Sequence, residues 1–339
     1  MKYGKWVRNL TFVAAFGSLF LQSCRKENGI DNNNVIRTPY SLYYGDSEGS
    51  LENTNDGVNY KRIFPYDGIP MRAIVTSGTN ILFVKRNTHL SVDNGENFNP
   101  TNFNTVQGSP FQSGILDVTS HNRLYLCSNT ILGKGLEYSD DHGVKWVPDN
   151  NWDTSIKGTL HPTSLTQLKG GDLFVLSNEF GTNRLFRRTS KEQWWVEVKP
   201  LIGLPASGIY FLSRLNDALI ASNVTGGIYF SNDKGLTWQP YAGLASSEIV
   251  NATYAPFDQT LLAGTSRGVY RLVAGTFVLS NNGLAPATQV YSIIAKADTY
   301  KNEVIKQYVY IGTSTGLYRS EDLGQNWINV KDGDIRRVY

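Results

Sequence analysis

The chain repeats one eight-residue pattern, with Ser, Asp, Gly and Trp at positions one, three, five and eight. Three copies keep all four residues, namely SDDHGVKW (139–146), SNDKGLTW (231–238) and SEDLGQNW (320–327). A fourth, SVDNGENF (91–98), has Phe in place of Trp. A pattern that recurs with fixed internal positions indicates an array of similar structural units, so it constrains the fold more than any single residue does.

More divergent copies bring the number of octets to seven. They are NTNDGVNY (53–60), RTSKEQWW (188–195) and RLVAGTFV (271–278), which makes the intervals between octet starts 38, 48, 49, 43, 40 and 49 residues. A mean period of about 44 residues suits a four-stranded propeller blade. Apolar strand-length runs also recur before the octets, such as ALIAS and GIYFS before 231. The sequence therefore predicts an all-β, seven-bladed β-propeller of four-stranded antiparallel blades, with six or eight blades as alternatives.

The two ends of the chain predict how the ring closes. SLYYGD (41–46) resembles a second strand, and SLENTNDGVNYKRI (50–63) would supply the third and fourth strands of the same blade. Its first strand is expected to be DIRRVY (334–339), which would pair the end of the domain with its start and protect the sheet edges. The later blades are expected near 70–105, 113–152, 162–202, 207–242, 246–281 and 288–331.

The octet has the composition of a turn between two antiparallel strands. Its Asp can accept hydrogen bonds from backbone N–H groups of the turn, and its Ser can do the same from the preceding strand end. Its Gly permits a positive φ, and its Trp begins the next strand with a ring that can be buried. We therefore assign structural rather than catalytic roles to Asp93, Gly95, Asp141, Gly143, Trp146, Asp233, Gly235, Trp238, Asp322, Gly324 and Trp327.

The pattern S-x-D-x-G-x-x-W resembles the Asp-box, or bacterial neuraminidase repeat. That repeat occurs in sialidases, xyloglucanases, sortilin-type receptors and proteins like the photosystem II assembly factor, and the resemblance covers about 300 residues. It implies a propeller whose boxes lie at the blade peripheries, away from the functional face. The resemblance is specific for architecture and leaves the function open.

The N-terminus resembles a bacterial lipoprotein signal. Three basic residues precede the apolar run LTFVAAFGSLFL (10–21), which is shorter than the roughly 20 residues that span a bilayer as a helix. LQSC (21–24) resembles a lipobox, which implies a signal peptide over 1–23 and a lipidated Cys24. Residues 24–36 would then form a flexible tether, and 37–339 a single propeller domain. The Lys-Glu after Cys24 resembles the surface tags of Bacteroidetes lipoproteins, so we expect an outer-membrane lipoprotein on its periplasmic or surface face.

Removal of the signal changes the charge of the chain. The whole sequence has 32 basic and 29 acidic residues, and three basic residues lie in 1–23, which leaves 29 of each sign. Such a balance does not favour binding to nucleic acid or to an anionic membrane. The remaining cysteine, Cys127, stands in the apolar run LYLCS, which predicts a buried thiol.

Motifs for catalysis are weak. GTSRG (264–268) and GTSTG (312–316) match G-x-S-x-G, but they recur in equivalent blade positions between strands, which predicts hairpin turns rather than nucleophile elbows. The Arg-Ile-Pro motif of sialidases is absent, the four histidines have no metal-binding spacing, and we expect neither metal nor cofactor. The alternative hypothesis is a glycoside hydrolase, which would need two carboxylates across one cleft.

The interpretation that the sequence favours is a non-catalytic propeller that binds a glycan or an envelope protein at the mouth of its central channel. Propellers commonly bind ligands through inner-strand ends and their loops. The candidate ligand-binding residues at those positions are Arg72, Asp117, Tyr210, Asn251, Tyr291 and Arg336. We expect a monomer that reaches the membrane through its lipid anchor alone and does not bind nucleic acid.

Overall fold

A computed structural model gives the architecture of the chain. The structure describes residues 37–38, 41–77, 79–85, 88–101, 115–118, 123–127, 135–156, 160–179, 181–189, 194–245, 247–300 and 303–339. The predicted signal peptide 1–23, Cys24 and the rest of segment 24–36 lie outside these residues. Within the described part of the chain, no helix has the length and apolar character needed to cross a membrane.

The described strands form seven antiparallel sheets around a central channel, and in all but blade 1 the four strands from the channel to the rim are consecutive in sequence. Blade 1 contains β29 (Ile335–Val338), β2 (Leu42–Asp46), β3 (Leu51–Thr54) and β4 (Lys61–Phe64). Blade 2 contains β5 (Ala73–Ser77), β6 (Asn80–Val84), β7 (Thr88–Ser91) and β8 (Asn99–Pro100). Blade 3 contains β9 (Ile115–Val118), β10 (Arg123–Cys127), β11 (Leu136–Ser139) and β12 (Val147–Pro148). Blade 4 contains β13 (Pro162–Gln167), β14 (Leu173–Glu179), β15 (Thr182–Arg188) and β16 (Val196–Val198).

The other three blades follow the same order. Blade 5 contains β17 (Tyr210–Leu215), β18 (Ala218–Asn223), β19 (Ile228–Ser231) and β20 (Gln239–Pro240). Blade 6 contains β21 (Val250–Tyr254), β22 (Leu262–Thr265), β23 (Gly268–Val273) and β24 (Thr276–Leu279), with a 3-10 turn at Pro256–Asp258. Blade 7 contains β25 (Val290–Tyr300), β26 (Glu303–Thr313), β27 (Gly316–Ser320) and β28 (Ile328–Asp332), and β1 (Arg37–Thr38) pairs with the end of β25. The predicted seven-bladed propeller is confirmed.

The inner strands are apolar because neighbouring blades cover both of their faces. Val290 of blade 7, for example, packs in one cluster with Ala252 and Leu262 of blade 6. In blade 4, five successive residues of β14, Leu173–Ser177, are buried, as expected for a strand enclosed on both sides. Burial in such inter-blade clusters supplies the main hydrophobic stabilisation of the ring.

Blade 1 closes the ring by pairing the two ends of the domain. Tyr43 and Tyr339 exchange backbone N–H···O bonds of 2.8 Å, and β2 runs antiparallel to β29. A side-chain contact also joins blades 7 and 1, because Lys331 Nζ lies 2.7 Å from the carboxylate of the buried Glu52. The predicted closure by the C-terminal strand is thus confirmed.

Four octets form the same turn, which we call the aspartate turn. In the copy at 231–238, Ser231 Oγ donates to Asp233 (2.8 Å) and accepts from the N–H of Gly235 (2.8 Å). The Asp233 carboxylate also accepts from the Thr237 N–H at 2.9 Å, and Trp238 Nε1 donates to the Gly235 carbonyl at 2.9 Å. The equivalent Ser–Asp and Gly–Ser bonds occur in the copies beginning at Ser91, Ser139 and Ser320.

The three divergent octets depart from this geometry. The first aspartate turn begins one residue later than predicted, because Thr54 takes the place of Ser and Asp56 the place of Asp. At 271–278, Ala274 and Gly275 instead form a two-residue hairpin in which both residues have positive φ, as a type I′ turn requires. The octet at 188–195 falls partly outside the described residues.

A second recurring contact joins the outer strands of neighbouring blades. A residue just after the fourth strand of one blade forms a parallel β-bridge with a residue at the fourth strand of the next blade. Ala242, for example, pairs in this way with Thr276. The adjacent Gly243 has a φ of 95°, and a Cβ there would lie 2.1 Å from the Phe277 carbonyl oxygen. Gly203 and Gly283 make equivalent close approaches to Trp238 and Trp327. These Gly-Leu segments thus connect the blades at the rim.

Candidate functional site

The central channel contains a cavity of about 340 Å³. Its wall comes from the inner strands of blades 1, 2, 4, 5, 6 and 7, which bring together residues distant in sequence. The polar, charged and aromatic residues that line it are Thr166, Ser213, Arg214, Thr253, Tyr254, Asp258, Tyr291, Ser292, Arg337 and Tyr339. The other half of the lining is aliphatic, so the cavity can bind a ligand through both polar and apolar contacts.

One end of the channel, which we call the arginine mouth, carries three arginines and one tyrosine from the starts of inner strands. Arg337 of β29 donates from Nε to the Arg72 carbonyl oxygen (2.5 Å) and from a terminal nitrogen to the Arg336 carbonyl oxygen (2.8 Å). It also contacts the Tyr291 carbonyl oxygen at 3.5 Å. Arg337 therefore joins blade 1 to blades 2 and 7 at the mouth.

Arg336 and Tyr291 form the exposed part of this mouth. The Arg336 guanidinium lies 4.2 Å from the centroid of the Tyr291 ring and 2.6 Å from a carboxylate oxygen of Asp334. Its side chain is 35% exposed, and Arg72 is also exposed. Two solvent-accessible arginine side chains thus lie near Arg337 at this mouth.

The electrostatics of the mouth favour negative charge. Burial, together with the positive charges of Arg336 and Arg72, lowers the pKa of Arg337 to about 10. Burial raises the pKa of Tyr291, with a contribution from the negative charge of Asp334. An anion bound between the guanidiniums would relieve their mutual repulsion.

The other end, the far mouth, contains an ion pair and two tyrosines. Arg214 lies 2.9 Å from the Asp258 carboxylate, beside Tyr254, and Lys296 Nζ lies 5.0 Å from the centroid of the Tyr339 ring. Burial lowers the pKa of Lys296 to about 8. The charges here are thus largely matched, in contrast to the arginine mouth.

Of the six predicted ligand-binding residues, the structure brings three together, Arg72, Tyr291 and Arg336. Tyr210 lies elsewhere, in the hydrophobic cluster between blades 4 and 5, and is 1% exposed. Asn251 is buried, and its side-chain amide donates to the Val290 carbonyl oxygen at 2.8 Å, which links blades 6 and 7. The backbone of Asp117 pairs with Leu124 in blade 3, and its side chain lies outside what the structure describes.

Sequence reasoning missed several channel residues. Arg337 stands beside the predicted Arg336, and only the three-dimensional register shows which of the two enters the channel. Arg214, Tyr254 and Asp258 lie at the far ends of inner strands, where the recurrent pattern gives no signal. A search of all inner-strand termini for Arg and Tyr would have found Arg214 and Tyr254, whereas Asp258 lies in the 3-10 turn after β21.

The remaining motifs have structural positions. Ser266 and Ser314 of the two G-x-S-x-G matches lie in two-residue turns between the second and third strands of blades 6 and 7. Their backbone N–H groups donate to Ile249 and Gln289 carbonyls at 3.0 and 2.9 Å. Cys127 is buried as a free thiol, as predicted. Among the described residues, no three His, Cys, Asp or Glu side chains are grouped to hold a metal.

No protein-family model and no curated protein matches the chain. Several solved structures have the same fold at low sequence identity. YCF48 from Cyanidioschyzon merolae is 12% identical, with 80% of this chain and 88% of that chain aligned and a TM-score of 0.53. Virginiamycin B lyase from Staphylococcus aureus is also 12% identical, with 85% and 97% aligned and a TM-score of 0.53.

A third neighbour belongs to a larger protein. The extracellular domain of the putative hybrid two-component system BT4673 from B. thetaiotaomicron is 11% identical, with a TM-score of 0.53. The alignment covers 76% of this chain and 33% of that one, so it corresponds to a third of the neighbour's length. These likenesses show that the chain shares the β-propeller fold with proteins of different functions.

Proposed function

We propose that the chain is a non-catalytic binding protein of the bacterial cell envelope, anchored by lipid at Cys24, which binds an acidic segment of a protein partner at the arginine mouth. The observation that carries the proposal is the convergence of Arg72, Arg336 and Arg337 at one end of the channel, where the charges of Arg72 and Arg336 act on the Arg337 guanidinium. Guanidiniums recognise carboxylates through paired, charge-assisted hydrogen bonds.

The aromatic rings favour an anionic ligand over a neutral sugar. A neutral sugar would bind mainly by stacking on open ring faces, yet a cation lies over Tyr291 and another over Tyr339. We therefore expect the guanidiniums of Arg72 and Arg336 to be the principal recognition groups, and a ligand carboxylate to compete with Asp334 for Arg336. An acidic glycan shares this chemistry with an acidic peptide, and the test below separates the two.

The far mouth argues for binding rather than hydrolysis. Hydrolysis of a glycosidic bond uses two carboxyl groups on opposite sides of the bond. Among the described residues that line the cavity, Asp258 is the one carboxylate, and it forms an ion pair with Arg214. YCF48 has been solved with a peptide bound, so a propeller of this fold can carry such an interaction.

The test compares acidic and neutral ligands on the detergent-solubilised chain. We expect polyglutamate peptides to bind more tightly than neutral peptides. We also expect them to bind more tightly than either acidic or neutral polysaccharide. Arg72→Ala and Arg336→Ala should each weaken peptide binding about tenfold, as expected for the loss of one charge-assisted hydrogen bond. Lys199→Ala is the control, because Lys199 is 73% exposed and lies at the rim of blade 4.

Three outcomes would contradict parts of the proposal. Tighter binding of the acidic polysaccharide would assign the site to a glycan, and equal loss in the Lys199 variant would show non-specific charge attraction. Turnover of any glycan in the same samples would make the protein an enzyme. Anchoring is tested separately, since Cys24→Ser should abolish labelling of the protein by a radiolabelled fatty acid in cells.

A further inference from the structure

The β25–β26 hairpin is longer than the corresponding hairpin of every other blade. Its two strands have 11 residues each, whereas the inner strands of the other blades have between four and six. The pairing of β26 with the third strand, β27, ends at Val309 and Ser320. Beyond that point β25 and β26 continue to pair with each other, and their last pair is Tyr300 with Glu303. Five further residue pairs correspond to an extension of about 15 Å.

The extension leaves two adjacent apolar side chains in solvent. Val304 and Ile305 are 53% and 55% exposed, although they are large aliphatic residues in a paired strand. They are bordered by the exposed residues Glu303 and Lys306, and Lys306 forms an ion pair with Glu321 at 3.1 Å. An exposed apolar tip with a charged border is typical of a surface that contacts a membrane or another protein.

The chain reaches the tip of this hairpin from its N-terminal side. Arg37 and Thr38 of β1 pair with Tyr300 and Thr299, the last residues of β25. Thirteen residue steps separate Cys24 from Arg37, and a fully extended segment of that length reaches about 45 Å. If Cys24 carries lipid, its segment therefore joins the propeller at this tip and lets the tip reach the bilayer.

The arginine mouth lies at the other end of the same strand. Tyr291 is the second residue of β25 and Tyr300 the last, so nine residue steps, or about 30 Å of strand, separate the mouth from the tip. An anchor at the tip would leave the mouth directed away from the lipid surface.

We infer that the tip of the β25–β26 hairpin rests on the membrane through Val304 and Ile305 and holds the arginine mouth facing away from it. The inference depends on the lipid anchor of the proposed function. It commits to lipid as the occupant of the tip, because the anchored segment joins the propeller there. A partner protein that covers the same residues is the competing outcome.

The test measures how close the tip lies to lipid in the intact lipoprotein. A single cysteine at Ile305→Cys is labelled with an environment-sensitive fluorophore, since the native Cys127 is 1% exposed and Cys24 is blocked by lipid. The protein is reconstituted in vesicles of phosphatidylethanolamine and phosphatidylglycerol that contain spin-labelled lipid. Leu279→Cys is the matched control, because Leu279 is an aliphatic residue, 57% exposed, on the outer strand of blade 6.

We expect the label at position 305 to shift to the blue and to lose most of its emission to the spin-labelled lipid, whereas the label at 279 stays unchanged. Vesicle flotation in the same samples separates the two proposals. Protein that floats with the vesicles, but whose label at 305 behaves like that at 279, overturns the inference and leaves the anchor intact. Protein that fails to float overturns both, and shielding of the 305 label without quenching by lipid assigns the tip to a protein partner.

Discussion

The Nε of Arg337 donates a 2.5 Å hydrogen bond to the carbonyl oxygen of Arg72, a residue 265 positions earlier in the chain. The bond joins the closing strand of blade 1 to the start of blade 2, and a second contact reaches the Tyr291 carbonyl in blade 7. One side chain therefore contributes both to ring closure and to the charge of the arginine mouth. Because Arg337 has both roles, a substitution at the mouth can change stability, ligand binding or both, and the two effects have to be measured separately.

The first prediction concerns Arg337 as a closure residue. Arg337→Met should lower the free energy of unfolding by about 1–3 kcal/mol, because the carbonyl oxygens of Arg72 and Arg336 lose a charged hydrogen-bond donor that joins the blades. Urea denaturation followed by tryptophan fluorescence measures the change. Lys199→Met serves as control, since Lys199 is 73% exposed, and should alter stability little. Equal effects of the two substitutions would remove Arg337 from any role in closure.

The second prediction tests how Tyr291 positions Arg336. Tyr291→Phe keeps the ring beneath the guanidinium and should leave binding of acidic peptide unchanged. Tyr291→Ala removes the ring and should weaken binding about two- to fivefold, the range expected for an exposed cation–π contact. Titration calorimetry at low and high salt provides the measurement. Similar loss in both variants would point to the hydroxyl group instead of the ring.

The fold followed from the sequence because its strongest signal is local and repeated. Each aspartate turn is specified by four residues within eight positions, and the spacing of the octets, together with the recurring strand pattern, favoured seven blades over six or eight. Closure was also predictable, since DIRRVY has the pattern of an inner strand but no blade of its own. The octet at 271–278 was a wrong assignment, because Ala274-Gly275 makes a shorter hairpin that needs no aspartate.

The site followed from the sequence only in part, because the channel wall combines side chains from six blades. Tyr210 and Asn251 occupy the same positions in their strands as the mouth residues, yet they pack between blades. Strand position alone does not show whether a side chain points to the axis or to a neighbouring blade. A bulge follows both Val250 in β21 and Val290 in β25, yet Asn251 bonds to the next blade whereas Tyr291 lies under Arg336 at the mouth.

The third prediction concerns the aspartate turn at 231–238. Asp233→Ala should destabilise the protein by about 1–3 kcal/mol, because the backbone N–H of Thr237 and the hydroxyls of Ser231 and Thr237 lose their acceptor. Asn232→Ala, in the same turn, is the matched control and should have little effect, since Asn232 is exposed. Thermal denaturation followed by circular dichroism compares the two. Unchanged melting in the Asp233 variant would contradict the role of the carboxylate.

The fourth prediction is a loss of stability in acid. Hydrogen bonds from Asn97 lower the pKa of Asp93 to about 2, and those from Thr237 lower the pKa of Asp233. Because the folded pKa values lie below the unfolded value of about 3.9, the stabilisation is complete above pH 4 and is lost as the pH falls toward 2. The melting temperature should therefore drop across this window. Asp93→Asn should reduce the drop, and an unchanged profile would show that other carboxylates govern acid unfolding.

The fifth prediction compares two glycines that both have positive φ. At Gly275, with a φ of 82°, a Cβ would meet no atom within 4 Å, so Gly275→Ala should cost about 1–2 kcal/mol for the left-handed backbone alone. At Gly243, with a φ of 95°, a Cβ would lie 2.1 Å from the Phe277 carbonyl oxygen. Gly243→Ala must therefore also displace the contact between blades 5 and 6, which adds about 1–3 kcal/mol. Urea denaturation of the two variants measures the difference, and equal midpoints would show that the rim contacts between blades contribute nothing to stability.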